Sequence, residues 1–222
     1  MSDILQECRH IFWDWNGTLL NDVGIAVEAM NSMLKRRKMP VMNEDRYRDI
    51  FTFPVKDYYS LLGFDFEAES FEKLSTEFIG EFNSRINRFR LHDGVPEVLN
   101  TFKRSGVGQS ILSASQEREL NQAVNKMDIR DYFISVAGLN DHYAKSKVKR
   151  GEELLCELGL EPREVLLLGD TVHDYDVANA IGCRCMLIGN GHQSCRRIAD
   201  CNAPVIKSVS ELIGFIKGEA IA

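Results

Sequence analysis

"HIFWDWNGTLLND" (residues 10–22) decides how the chain is read. An apolar run stops at Asp14, and Asn16-Gly17-Thr18 follows almost at once. That is the pattern of a buried strand giving way to a sharp turn. Similar runs closing on Gly, Asp or Ser recur downstream as "GQSILSAS" (108–115), "YFISVAG" (132–138), "EVLLLGD" (164–170) and "RCMLIGN" (184–190). Segments of helical period lie between the later ones. Val95, Val98, Leu99 and Phe102 share one face of 95–104, and a second such segment covers 147–158 before Gly159. Strands alternating with helices imply an α/β fold, a Rossmann-like parallel sheet flanked by helices on both faces.

Residues 21–90 break the alternation. Val23, Val27, Met30 and Leu34 form one helical stripe, with Asp22 placed to cap its start. Phe71, Leu74, Phe78, Phe82, Ile86 and Phe89 form another, read as packing inside the segment. Between them, short helices break at Pro54 and Gly63. The expected organisation is an α/β core of residues 1–20 and 91–222, with a small all-helical domain inserted over 21–90.

Composition narrows the function. Hydrophobic residues make up 44% and charged residues 27%, ordinary for a globular domain, and the net charge of −6 argues against a nucleic-acid partner. The tight basic cluster "KRRK" (35–38) reads as the solvated end of a helix. "MSDILQECRHIF" has no basic stretch followed by an apolar one, and the longest apolar run, "VLLL" (165–168), falls far short of the ~18 residues of a membrane span. The expectation is a cytoplasmic protein with no membrane partner, a monomer or homodimer. Cys183, Cys185, His192, Cys195 and Cys201 lie close in sequence, but no paired C-x2-C spacing supports zinc, so reduced thiols are expected.

In an open parallel sheet, ligands bind beyond the carboxyl ends of the strands. Asp14, Ser113 and Asp170 stand at such ends, and Asp174 lies one helical turn after Asp170. Carboxylates from separate strands can share a divalent cation, and an all-oxygen set suits Mg²⁺. A carboxylate beside such an ion can also attack phosphorus.

These residues resemble the haloacid dehalogenase superfamily, whose first motif is D-x-D-G-T-[LV]. Here it reads Asp14-Trp15-Asn16-Gly17-Thr18-Leu19. The motif of a Ser or Thr closing a hydrophobic strand is similar to Ser113 in "ILSAS", and G-D-[ST]-x-x-D matches "GDTVHD" (169–174). The family's lysine precedes the helix that ends in Leu158-Gly159. Its usual spacing points to Lys145, while the absence of K-P in "AKSKVKRG" (144–151) keeps Lys147 as a rival. The pattern is similar to the phosphoglycolate phosphatase and β-phosphoglucomutase-like subgroup with a small helical cap.

The resemblance implies a Mg²⁺-dependent hydrolase of small phosphorylated metabolites. Asp14 would be the nucleophile and a metal ligand, joined by Asp170 and the backbone carbonyl of Asn16, with Asp174 completing the metal site through water or by orienting its neighbours. Ser113, with Ala114 beside it, and Lys145 would hold the phosphate. Gly17 would let the backbone turn, with Thr18 hydrogen-bonding inside that turn. Where this superfamily's phosphatases carry an acid/base carboxylate, the chain has Asn16, and a carboxamide has no proton-transfer equilibrium near neutral pH. Positioned acid–base catalysis is worth about 10²–10⁴-fold, so weak activity on alkyl phosphates is expected. His173 is a candidate substitute acid. Two alternatives remain open: C–P cleavage similar to that of phosphonoacetaldehyde hydrolase, with Lys56 in "FPVKDYY" as its amine, and a catalytically silent phosphate-ligand-binding protein.

Overall fold

The computed structural model describes residues 8–139 and 146–217. Six strands form one parallel sheet: β1 (His10–Trp13), β2 (Gly108–Gln116), β3 (Ser135–Leu139), β4 (Val165–Gly169), β5 (Arg184–Ile188) and β6 (Val205–Ile206), in the order β3-β2-β1-β4-β5-β6. Successive side chains of a strand point to opposite faces. Ile11 and Trp13 therefore enter one core with Leu99, Ile111, Leu166 and Leu168. Phe12 enters the other, with Leu112, Leu154, Leu167, Val177 and Leu187. Burial on both faces explains why the strands read as continuous apolar runs.

Helix α5 (Val95–Arg104) buries the four residues expected from its period. Helices α6 (Glu117–Lys126), α7 (Ser146–Leu158) and α8 (Val172–Ile181) complete the two covering layers, with the short α9 (Cys195–Ile198) and α10 (Leu212–Lys217) after them. The arrangement is a Rossmann-like α/β fold. Among the described residues no helix is long and apolar enough to cross a membrane.

Four helices lie between β1 and α5: α1 (Val23–Arg36), α2 (Glu44–Ile50), α3 (Val55–Leu62) and α4 (Phe71–Asn83). They share a core of their own around Val27, Met30, Leu34, Tyr47, Tyr58, Tyr59 and Leu74. Arg37 binds Glu69 and Glu77 at 2.6 Å each, fastening the end of α1 to α4; the basic cluster is thus partly an inter-helix clasp and not only a solvated end. The Phe stripe of α4 also departs from its expected role. Leu74 is fully buried, but Phe71, Phe78 and Phe82 are half-buried because much of their surface faces a cavity.

Candidate active site

Register brings the strand-end residues together. Trp13 pairs with Leu168 of β4 and Ile111 of β2, so Asp14 and Asp170 leave the sheet at the same edge; Ser113, expected to close its strand, lies within β2, which runs on to Gln116 and shifts register against β3 after Leu112. The Asp14 N–H donates to Leu168 O at 2.8 Å, continuing the ladder one step beyond the strand. Gly17 has φ +76°, and a β-carbon there would collide with Asp170 and the His192 ring. Only glycine lets this turn pass so close to the β4 carboxylate.

Asp170 and Asp174 are fixed by the start of α8. Thr171 caps the helix in a reciprocal box with Asp174, whose Oδ2 accepts from Thr171 N (3.0 Å), Thr171 Oγ1 (2.6 Å) and Asp170 N (3.2 Å). Asp170 Oδ1 accepts from Thr18 Oγ1 at 2.9 Å and Oδ2 from His192 N at 2.6 Å. Thr18 therefore does not bond inside its own turn; it steers the carboxylate of a distant strand.

Lys147, near the start of α7, is 1% exposed. Its Nζ lies 2.5 Å from Asp14 Oδ1 and 2.6 Å from Asp174 Oδ1. Of the two candidate lysines it is the one seen at the site, since Lys145 lies outside the described residues. Burial pulls the Lys147 ammonium toward neutrality, but the Asp14 and Asp174 carboxylates outweigh it and hold the charge. Burial pushes Asp14 up to about 8, opposed by Lys147 and reinforced by Asp174 and Asp170. Asp170 rises to about 6, again mainly through burial. Asp174 stays below its usual range because Lys147 overcomes the cost of burial.

Three buried carboxylates thus lie together, and Lys147 bonds two of them. Their oxygens lie within 4.8 Å of one another, and this is the one group of potential metal-ligating side chains found among the described residues. An acidic, all-oxygen set with excess negative charge fits a hard divalent cation. The six cysteines are free, and those near His192 form no such group.

Asn16 is pinned at both ends of its amide. Nδ2 donates to Asp22 Oδ2 at 2.8 Å, and Oδ1 accepts from Ser115 Oγ at 2.7 Å. Asp22 precedes α1 but makes no capping bond, contrary to expectation. Its carboxylate turns inward instead, accepting from Gly17 N (2.8 Å) and facing His192 Nε2 (3.2 Å). Burial alone would depress His192, yet the Asp22 carboxylate dominates and lifts it to about 9. As imidazolium it donates from both ring nitrogens, Nε2 to Asp22 and Nδ1 to the Tyr47 hydroxyl of α2 at 2.7 Å. His92 donates from Nε2 to Gly17 O at 3.1 Å, a structural role.

Above these groups lies a cavity of about 510 Å³, with walls contributed by the sheet edge and by α1–α4. Asp14, Asn16, Ser113, Ala114, Lys147, Asp170 and Asp174 line it. Gly17 and Thr18 lie behind its wall as positioning residues. Lys56 is not brought to the site: it is exposed, its Nζ 5.2 Å from the Phe66 ring centroid. Sequence reasoning missed Asp22, His192 and Tyr47. His192 follows the carboxyl end of β5, so the strand-end rule that found Asp14 and Asp170 also reaches it. Nothing in the local sequence marks Tyr47.

The haloacid dehalogenase-like hydrolase family model matches residues 11–188. An N-acetylmuramic acid 6-phosphate phosphatase of Pseudomonas aeruginosa is 22% identical over 83% of this chain and 83% of that protein. Phosphoglycolate phosphatase 1 of the same organism is 25% identical over 92% of this chain and 78% of its own. A hydrolase of the haloacid dehalogenase-like family from Streptococcus pneumoniae superposes with a TM-score of 0.83 at 16% identity, covering 94% of this chain and 98% of the other.

Proposed function

The chain belongs to the haloacid dehalogenase-like hydrolases, and from that premise we propose that it is a Mg²⁺-dependent phosphatase of small phosphorylated metabolites working through an aspartyl-phosphate on Asp14. The observation that carries this reading is Lys147 Nζ bonded to both Asp14 and Asp174 within a cluster of three buried carboxylates. A neutral or binding-only site has no need to concentrate so much uncompensated acid, because each buried charge costs several kcal/mol.

Asp14, Asp170 and Asp174 would hold the ion, with the Asn16 carbonyl as a further ligand. When bound, the ion supplies charge neutralisation for the phosphoryl oxygens. Lys147 and Ser113 hold the phosphate, Lys147 also favouring the ionised form of Asp14 against the effect of burial. An Asp14 carboxylate oxygen attacks phosphorus, and the ester P–O bond breaks with its electron pair leaving on the alcohol oxygen. Water then attacks the same phosphorus, the Asp14–phosphorus bond breaks, and the carboxylate is regenerated as phosphate departs. Catalysis is positioning and charge stabilisation. Asn16 donates hydrogen bonds but no proton, so the leaving oxygen departs as its anion or takes a proton from another source.

Schiff-base chemistry on Lys56 has no support from its exposed position on Phe66. The test is incubation with Mg²⁺ and a panel of phosphate esters and acyl phosphates. Turnover that disappears in Asp14→Ala supports the enzyme. Tight phosphate-ester binding with no turnover overturns it in favour of a binding module.

A further inference from the structure

The proposal above leaves the rest of the substrate open, and the cavity walls address it. Phe53, Tyr58, Phe78, Ile79 and Phe82 contribute a largely aromatic lining to the cavity that the carboxylates also line, and the Phe53 ring stacks on His173 with centroids 4.5 Å apart. Half-buried phenyl rings directed at a cavity of about 510 Å³ are hydrophobic surface awaiting an apolar occupant.

Charge excludes the other class. Among the lining residues the basic side chains are Lys147, His192 and His173. Lys147 is held by Asp14 and Asp174, and His192 by Asp22. Glu119 also lines the cavity, bonded to Asn83 Nδ2 at 3.0 Å. Among the described residues, no arginine or lysine of the helical insert lines the cavity. Arg48 binds Gly191 O and Glu44, and Lys56 sits on Phe66. Among the described residues, a substrate carboxylate would enter a cavity already lined by Asp14, Asp22, Glu119, Asp170 and Asp174, where Lys147 and His192 are engaged and His173 lies against the Phe53 ring, so its burial is costly.

The leaving group is constrained independently. The lining carboxyls near Asp14 are committed: Asp174 accepts four hydrogen bonds, Asp170 two, and Asp22 bonds Gly17 N, Asn16 and His192. Asn16 is an amide. A phenol, with pKa near ~10, leaves as its anion far more readily than an alcohol, whose acidity is about that of water at ~15.7.

From the walls and the charge, together with the amide at residue 16, we infer that the substrate is an aryl phosphate, a phosphate monoester of an uncharged phenol. This rests on the phosphatase reading and names its substrate class.

The test compares kcat/KM of the full chain in Mg²⁺ for phenyl and 2-naphthyl phosphate, cyclohexylmethyl phosphate and phosphoglycolate. It also measures competitive inhibition by benzylphosphonate and phosphonoacetate, which removes leaving-group reactivity from the comparison. The aryl esters are expected to exceed phosphoglycolate by at least ~10-fold, and benzylphosphonate to inhibit at least ~10-fold more tightly than phosphonoacetate, roughly the effect of one lost or gained hydrophobic group. Phe78→Ala should raise KM for the naphthyl ester by a larger factor than KM for phosphoglycolate, and Ile79→Lys should narrow the gap between the two inhibitors. Equal inhibition by the two phosphonates, or an aryl preference untouched by Phe78→Ala and Ile79→Lys, overturns the inference while the phosphatase stands. Absence of turnover on every ester overturns the phosphatase reading and this inference with it.

Discussion

The side-chain amide of Asn16 donates to Asp22 Oδ2 at 2.8 Å, placing a carboxamide and a buried carboxylate in direct contact beside Asp14. The position two residues after Asp14 is therefore an integral part of the buried network. A carboxylate there would face another carboxylate.

Asn16→Asp is consequently expected to create a like-charge pair in which one carboxyl keeps its proton above the usual range. A retained proton is what a departing alkoxide lacks. Alkyl-phosphatase kcat should rise by at least ~10-fold, within the range for positioned acid–base catalysis. Steady-state rates on cyclohexylmethyl phosphate check this, and an unchanged or lower rate shows that proton transfer is handled elsewhere.

Lys147→Met removes the only ammonium bonded to Asp14 and Asp174 among the described residues, stranding two buried carboxylates. Breaking one side of a buried ion pair typically costs about 3–5 kcal/mol. Urea unfolding should show a loss of that order together with abolished turnover. If the proposed cation site is right, part of the lost stability should return at high Mg²⁺.

Mg²⁺ should stabilise the wild-type chain by about 2.7 kcal/mol at a hundredfold excess over Kd, and Asp170→Asn should abolish the shift. Burial holds Asp14 up to about 8, so protons compete with the ion below that pH. Affinity measured by calorimetry should therefore weaken as pH falls from 8 to 6. A pH-independent Kd would remove Asp14 from the ligand set.

His10 opens β1 and is buried, its Nε2 2.9 Å from Ser110 Oγ of β2, and burial lowers it from 6.5 to about 4. The unfolded chain binds a proton in that window and the native state does not, so stability from the neutral ring is full above 6.5. It is lost as pH falls toward 4, for a total of about 3 kcal/mol. Unfolding free energies at pH 7 and 5 should differ more in the wild type than in His10→Gln. Equal differences would show that His10 titrates normally.

The strands and α5 were legible because burial on both faces leaves an unbroken apolar run and burial on one leaves a period near 3.6. Asp14 and Asp170 were legible from strand ends alone, whereas Ser113 lies inside a strand that runs on to Gln116. Residues whose partners are distant in sequence were not. Asp22 resembles a helix cap until the fold brings His192 to it, and Thr18 resembles a turn residue until Asp170 arrives. The Phe stripe of α4 has the same period whether it meets a core or a cavity, so its sequence cannot distinguish packing from a wall. The choice between Lys145 and Lys147 lay below the precision of counting back from a helix end.

The pinned amide also bears on how the protein ages. Asn-Gly sequences lose ammonia when the glycine nitrogen attacks the asparagine side chain and closes a succinimide ring. Here the Gly17 N–H is held by Leu20 O and Asp22, and the Asn16 carboxamide by Asp22 and Ser115. Ring closure must wait for this turn to open. Spontaneous deamidation at residue 16 thus serves as a chemical clock for local unfolding, and a stored preparation that slowly gains activity on alkyl esters would be recording how often that turn has come apart.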